Sequence, residues 1–60
     1  MRILFRRDET RGVTIGTVEG RPEAMREFSD FDFWPGSPIR EWIIELHEYM
    51  GEEVESITVA

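Results

Sequence analysis

The one histidine, His47, stands in the run LHEYMGEE, with carboxylates close behind it at Glu48, Glu52 and Glu53. A histidine among glutamates raises the question of metal-assisted or acid–base chemistry. Metal binding needs several ligands at a spacing that brings them to one point, and no HExxH pair exists here. Nucleophilic catalysis needs an activated hydroxyl or thiol beside the histidine, and the chain has no cysteine. His47 follows Leu46 at the border of an apolar stripe and reads as a packing or boundary residue. Asp30 and Asp32 are near in sequence but sit in a polar context, without the burial that divides such a pair into acid and base. Gly12, Gly16 and Gly20 recur at four-residue spacing, yet GVTIGTVEG is neither GxGxxG nor a P-loop. The reading is therefore non-enzymatic, with no catalytic residue, no cofactor and no metal.

Binding chemistry is better represented. The net charge is -6, and all seven basic residues are arginine. Residues 1 to 21 hold five arginines against three acids, net +2, and residues 22 to 60 hold two against ten, net -8. Such asymmetry points to an interaction surface of one sign. Glu41, Glu45, Glu48 and Glu52 fall in a narrow helical sector with no lysine or arginine to relieve them. Each like-charge pair at i, i+4 costs roughly 0.2–0.5 kcal/mol. Such a row is either a solvated face or an acidic ridge for a basic partner, which it attracts and selects. Arg2, Arg6, Arg7 and Arg11 form the opposite pole. Arginine binds phosphate well, but no aromatic shares a face with Arg2 and Arg6 as a stacking platform needs, and overall acidity opposes direct nucleic-acid binding.

The stretch SDFDFWPGSP, residues 29 to 38, concentrates Phe31, Phe33 and Trp34 beside Asp30 and Asp32. Burying one such ring contributes about 1.5–3 kcal/mol, a large share of the stability of a small domain. Phe28 and one of Phe31 or Phe33 are expected to close one end of the core, with the aspartates facing water. Trp34 precedes a Pro-Gly turn, which belongs on the surface, and tryptophan is a frequent interface anchor.

The elements that must position these residues follow from periodicity. Residues 2 to 7 read as a strand with Ile3 and Phe5 on one face and Arg2, Leu4 and Arg6 on the other. Residues 13 to 18 read as a second strand, with Val13 and Ile15 facing the core and Gly16 outward beside Arg2 and Arg6. Asp8 and Gly12 mark the hairpin loop between them. Residues 22 to 28 read as a short helix opening on Pro22, with a third hairpin strand as the alternative. Ser37 is an N-cap and Pro38 a first helical residue. Ile39, Trp42, Ile43, Leu46 and Met50 make the stripe of a long helix, which Gly51 ends. The last stretch, VESITVA, is β-rich, with Ile57 and Val59 on one face.

The predicted fold is α+β: one small two-layer domain over residues 1 to 60, ββ(α)αβ, with an antiparallel hairpin and a C-terminal strand packed on one main helix. The last strand is expected beside the first and antiparallel to it. Sixty residues bury only about 60% of their unfolded surface, so the core is marginal. The apolar runs are too short for a signal-peptide core or a membrane span, and a soluble, cytoplasmic chain is expected. The layout and size resemble those of small antitoxins and of small phage-encoded inhibitors of host machinery. The acidic row and the acidic-aromatic stretch point to a non-enzymatic module using Glu41, Glu45, Glu48, Glu52, Asp30, Asp32 and Trp34 to occupy a basic, nucleic-acid-binding surface on a partner protein, as such inhibitors and antitoxins do. The alternatives are a structural subunit of a homo-oligomer, a homodimer included, and a weak RNA-binding module using the N-terminal arginines.

Overall fold

The computed structural model describes all residues, Met1–Ala60. The chain runs β1 (Arg2–Asp8), β2 (Val13–Val18), β3 (Arg21–Phe28), α1 (Pro38–Met50) and β4 (Ser56–Val59). The four strands form one sheet in the order β3-β2-β1-β4, and the helix covers one face. This is the expected two-layer α+β architecture, with three corrections inside it.

The first concerns residues 22 to 28, which are strand rather than helix. Val18 pairs with Arg21, so Glu19 and Gly20 form a two-residue hairpin loop, and Gly20 takes a positive φ of 77°, which glycine adopts without steric cost. A seven-residue helix is marginal on its own, whereas a strand here joins an existing ladder. The ladder is irregular. Gly16 pairs with Arg26 and Val18 with Arg21, so residues 22 to 25 bulge opposite Thr17. Pro22, which lacks an N–H, sits in that bulge.

The second correction follows from the first. β4 lies beside β1 as expected but pairs with it in parallel, Ile3 opposite Ile57 and Phe5 opposite Val59. A third antiparallel strand reverses the chain once more before the helix. The crossover therefore returns β4 in the direction of β1 and β3.

The third is a change of face. Opposite residues in a ladder share a face, and Ile3 pairs with Val18, Phe5 with Gly16 and Arg7 with Thr14. The helix-side face of β2 is thus Thr14, Gly16 and Val18, and Val13 and Ile15 point the other way. A one-residue slip exchanges every side chain between faces. What fixes the choice is the helix. A Cβ on Gly16 would stand 2.5 Å from the Trp42 ring and 2.9 Å from the Phe5 ring. Gly16 is the hollow that receives Trp42, not an opening beside Arg2 and Arg6.

The core comprises Met1, Ile3, Phe5, Val18, Phe28, Ile39, Trp42 and Leu46, with Ala24, Ile43, Met50 and Val54 packed around it. Ile15 is also buried, on the opposite face, between Arg6 and Glu27 in the ladder. The helix begins and ends as its sequence indicates. The Ser37 hydroxyl accepts from the Arg40 N–H, and Gly51 takes the left-handed conformation at φ 65° and donates its N–H to the His47 carbonyl. No helix is long and apolar enough to cross a membrane.

Candidate functional site: an acidic-aromatic loop

The segment between β3 and α1 is held by hydrogen bonds to its carbonyls from Ser37 and Arg40. The buried Ser37 hydroxyl donates to the Asp32 carbonyl at 2.9 Å, and the Ser37 N–H donates to the Trp34 carbonyl at 2.9 Å. The Arg40 guanidinium donates to the Phe33 carbonyl at 3.2 Å. Three successive carbonyls are thereby tied to the first turn of α1, so the intervening side chains have fixed directions.

Phe31 and Phe33 turn inward. Both meet Phe5 edge-to-face, with ring centroids 5.7 and 5.8 Å away, and they meet each other at 5.0 Å. Both close the core end, each half-covered, where one was expected to do so alone. Phe28 is fully part of the core, 5.5 Å from Trp42. Trp34 turns outward, 57% exposed, with no aromatic partner. Trp34, Asp30, Asp32, Ser29 and Pro38 border a concavity of about 230 Å³, whose far wall is Arg26 and Glu27. That wall is already paired, Arg26 with Glu45 and Glu27 with Arg11. The free charges at the concavity are Asp30 and Asp32.

The glutamate row does not survive as a ridge of four. Glu41, Glu45 and Glu48 lie on α1, but the helix ends at Met50, and Glu52 lies beyond the Gly51 cap. Glu52 pairs with Arg21, and its carbonyl accepts from His47 Nδ1 at 2.8 Å. A carbonyl only accepts, so this nitrogen carries the proton. Glu45 lies 3.6 Å from Arg26. Only Glu41 and Glu48 remain without a cation. Both relieving arginines come from β3, across space from the helix. The separation in sequence hides them, and reading residues 22 to 28 as helix removes the strand that carries them.

The arginine pole is likewise mostly spoken for. Arg11 grips Glu27 with two hydrogen bonds of 2.7 Å, and Arg2 stands 3.5 Å from Glu19. The hydrogen bond to Glu27, and then the charge of that carboxylate, hold the Arg11 guanidinium above its ordinary pKa. Arg7 donates to Thr14 Oγ1 at 2.9 Å and to the Ser29 carbonyl at 3.4 Å. Arg6 alone among the four makes no such contact. His47 is exposed, and nowhere do three or more histidine, cysteine or acidic side chains gather as a metal would need. The chain matches no known protein family, no curated protein and no solved structure.

Proposed function

We propose that the protein is a non-enzymatic binding module. It occupies a basic surface of a partner protein with the loop that carries Asp30, Asp32 and Trp34, together with Glu41 in the first turn of α1 and Glu48 further along the same helix. The observation that carries this reading is a large ring held in water beside two unpaired carboxylates. Exposing a tryptophan forgoes about 1.5–3 kcal/mol of burial, and the tied carbonyls of Asp32, Phe33 and Trp34 fix the backbone that presents it. An exposed aromatic beside two unpaired carboxylates suits an arginine- or lysine-rich surface, where cation–π contact and Coulomb attraction act together. A surface of that kind commonly holds nucleic acid, so the module acts as an inhibitor or antidote by charge mimicry, in the manner of small antitoxins and phage-encoded inhibitors. The RNA-binding alternative loses support from the internal partners of Arg2, Arg7 and Arg11.

The test is capture of proteins from the source cell by wild type and by Asp30→Lys/Asp32→Lys at low and high salt. A basic protein held by wild type, released by salt and not captured by the double variant is the expected outcome. Equal capture by both removes the loop from the function.

A further inference from the structure

The two edges of the sheet are treated differently. The β3 edge carries Arg21, Pro22, Glu23, Arg26 and Glu27 and is broken by a bulge. Charge, proline and bulge are the devices that keep a sheet edge from pairing with another chain. The β4 edge has none of them. Its residues, Ser56, Ile57, Thr58 and Val59, are uncharged, unbulged and all exposed.

The backbone there is also open. Phe5 lies opposite Val59, and its carbonyl accepts from the Ala60 N–H at 2.9 Å. In a parallel ladder a residue bonds to the neighbours of its partner, so Thr58 and Ala60 face β1 while Ile57 and Val59 present N–H and C=O to the outside. Next to this edge, Ile57, Phe33, Ile43 and Ile44 line an apolar concavity of about 250 Å³ with Arg40 at its rim. Ile44, Ile57 and Val59 are exposed, and Phe33 shows the third of its surface that Phe5 and Phe31 leave uncovered.

We infer that β4 pairs antiparallel with β4 of a second copy, about a two-fold axis at Thr58, to make one continuous eight-stranded sheet. This inference is independent of the acidic loop and its partner. Three observations choose a second copy as the occupant. First, the register is self-complementary: with Thr58 opposite itself, Ile57 exchanges both backbone bonds with Val59 of the other copy, and the two β-branched side chains meet on the helix-covered face. Second, charge is sorted to permit approach. The flank of α1 toward β4 presents Arg40, Ile43 and Ile44, whereas Glu45 and Glu48 line a depression on the other flank with Trp42 and Tyr49. The helix flanks of the two copies then set no carboxylate against another, and Glu55, which precedes β4, is paired with the Met1 amino group at 3.3 Å. Third, a four-residue ladder alone falls short of the roughly 1,200 Å² that stable interfaces bury. The axis places the apolar concavities of both copies on the same side, where they extend the contact.

The experiment is sedimentation equilibrium of the whole chain from micromolar to millimolar concentration, with residue-resolved amide exchange at both ends of that range. A reversible dimer is expected, and the Ile57 and Val59 amides gain protection as concentration rises while those of the bulged β3 edge do not. Val59→Lys, at a position 59% exposed, leaves the melting curve of the dilute protein unchanged and raises the dimer dissociation constant about tenfold or more. Ile57→Lys does the same, and Met25→Lys on the other edge does not. A monomer throughout the range overturns the inference, and so does a dimer that Val59→Lys leaves intact. Protection of these two amides that appears only on adding an unrelated extended peptide assigns the edge to a foreign strand and equally overturns self-pairing.

Discussion

Trp42 and Trp34 lie eight residues apart in sequence and have opposite fates. Trp42 is 6% exposed and Trp34 57%. The difference is not in the ring but in what the backbone offers it. Trp42 projects from a helix onto a sheet whose second strand supplies a glycine at the contact point, and Phe5 and Phe28 complete the socket at 5.9 and 5.5 Å. Trp34 stands on a loop whose carbonyls are bonded to the helix start, where the nearest inward positions are taken by Phe31 and Phe33. One tryptophan holds the layers together, and the other is what the fold leaves available.

The largest expected effect tests the buried member. Trp42→Ala empties the socket between helix and sheet and should cost about 3–5 kcal/mol. Small domains have only several kcal/mol in total, so most of the variant should be unfolded in dilute buffer. A urea melt followed by circular dichroism checks this. A loss below 1 kcal/mol would show that Phe5 and Phe28 close over the gap and that the socket is not specific.

Next comes the other side of the same contact. Gly16→Ala inserts a methyl group 2.5 Å from the Trp42 ring, closer than any relaxed contact, so ring or strand must shift. Overpacking of this kind costs about 1–3 kcal/mol. The diagnostic is non-additivity. In a Trp42→Leu background, which empties less of the socket than alanine does, the clash with the indole is gone and only the Phe5 ring stands 2.9 Å from the added methyl, so the cost should fall. A Gly16→Ala penalty that persists there in full would trace to Phe5 or the strand rather than to Trp42.

Gly16 also marks where the sequence stops being readable. The helix is legible down to its caps because Ser37, Pro38, the apolar stripe and Gly51 each act locally and agree. The β1–β2 hairpin is legible for the same reason, with Asp8 accepting from the Arg11 N–H at 3.2 Å and the Gly12 N–H bonded to the Asp8 carbonyl. Strand β2 is different. Its alternation in VTIGTV offers Val13 and Ile15 on one face against Val18 on the other. Only the distant Trp42 selects the face that lacks a side chain, and no local pattern encodes that choice. Strand β3 fails for a related reason. Pro22 and the Ala24, Met25, Phe28 spacing imitate a helix start, and the Glu-Gly hairpin signal is weaker than Asn-Gly or Asp-Gly. The direction of β4 then falls with it, because strand count sets the sense of the crossover. Of the acidic-aromatic site, Asp30, Asp32 and Trp34 stand where a surface reading puts them. Glu45 and Glu52 do not stand free, since their partners Arg26 and Arg21 are neighbours only in space.

The exposed tryptophan should give a smaller effect of another kind. Trp34→Ala should lower the stability by less than about 1 kcal/mol, as changes at exposed positions usually do. Its contribution to partner binding should be larger, about 2 kcal/mol or more by titration of the captured partner. The remaining Trp42 fluorescence reports the melt. A Trp34→Ala midpoint that falls as far as that of Trp42→Ala would erase the contrast between the two rings and make the whole loop core.

The smallest effect distinguishes the free glutamates from the paired ones. Glu48 has no cation near it, and Glu45 lies on the same flank of α1. A lysine in place of Glu48 removes repulsion, gains an i, i-3 pair with Glu45 and puts positive charge toward the helix C-terminus. All three act in the same direction, and a gain of about 0.2–0.5 kcal/mol is expected. Glu45→Lys also relieves repulsion along the helix but sets a cation against Arg26 of β3, at the position of an exposed ion pair. Such pairs are worth only about 0–1 kcal/mol, so the two terms should nearly cancel and Glu45→Lys should be less stable than Glu48→Lys. Reversing the strand partner isolates the cause. Arg26→Glu combined with Glu45→Lys should recover what Glu45→Lys lost, and 1 M salt should flatten all of these differences. Equal midpoints for Glu45→Lys and Glu48→Lys at low salt would mean that Arg26 does not engage the helix in solution, which would return Glu45 to the free acidic surface beside the loop.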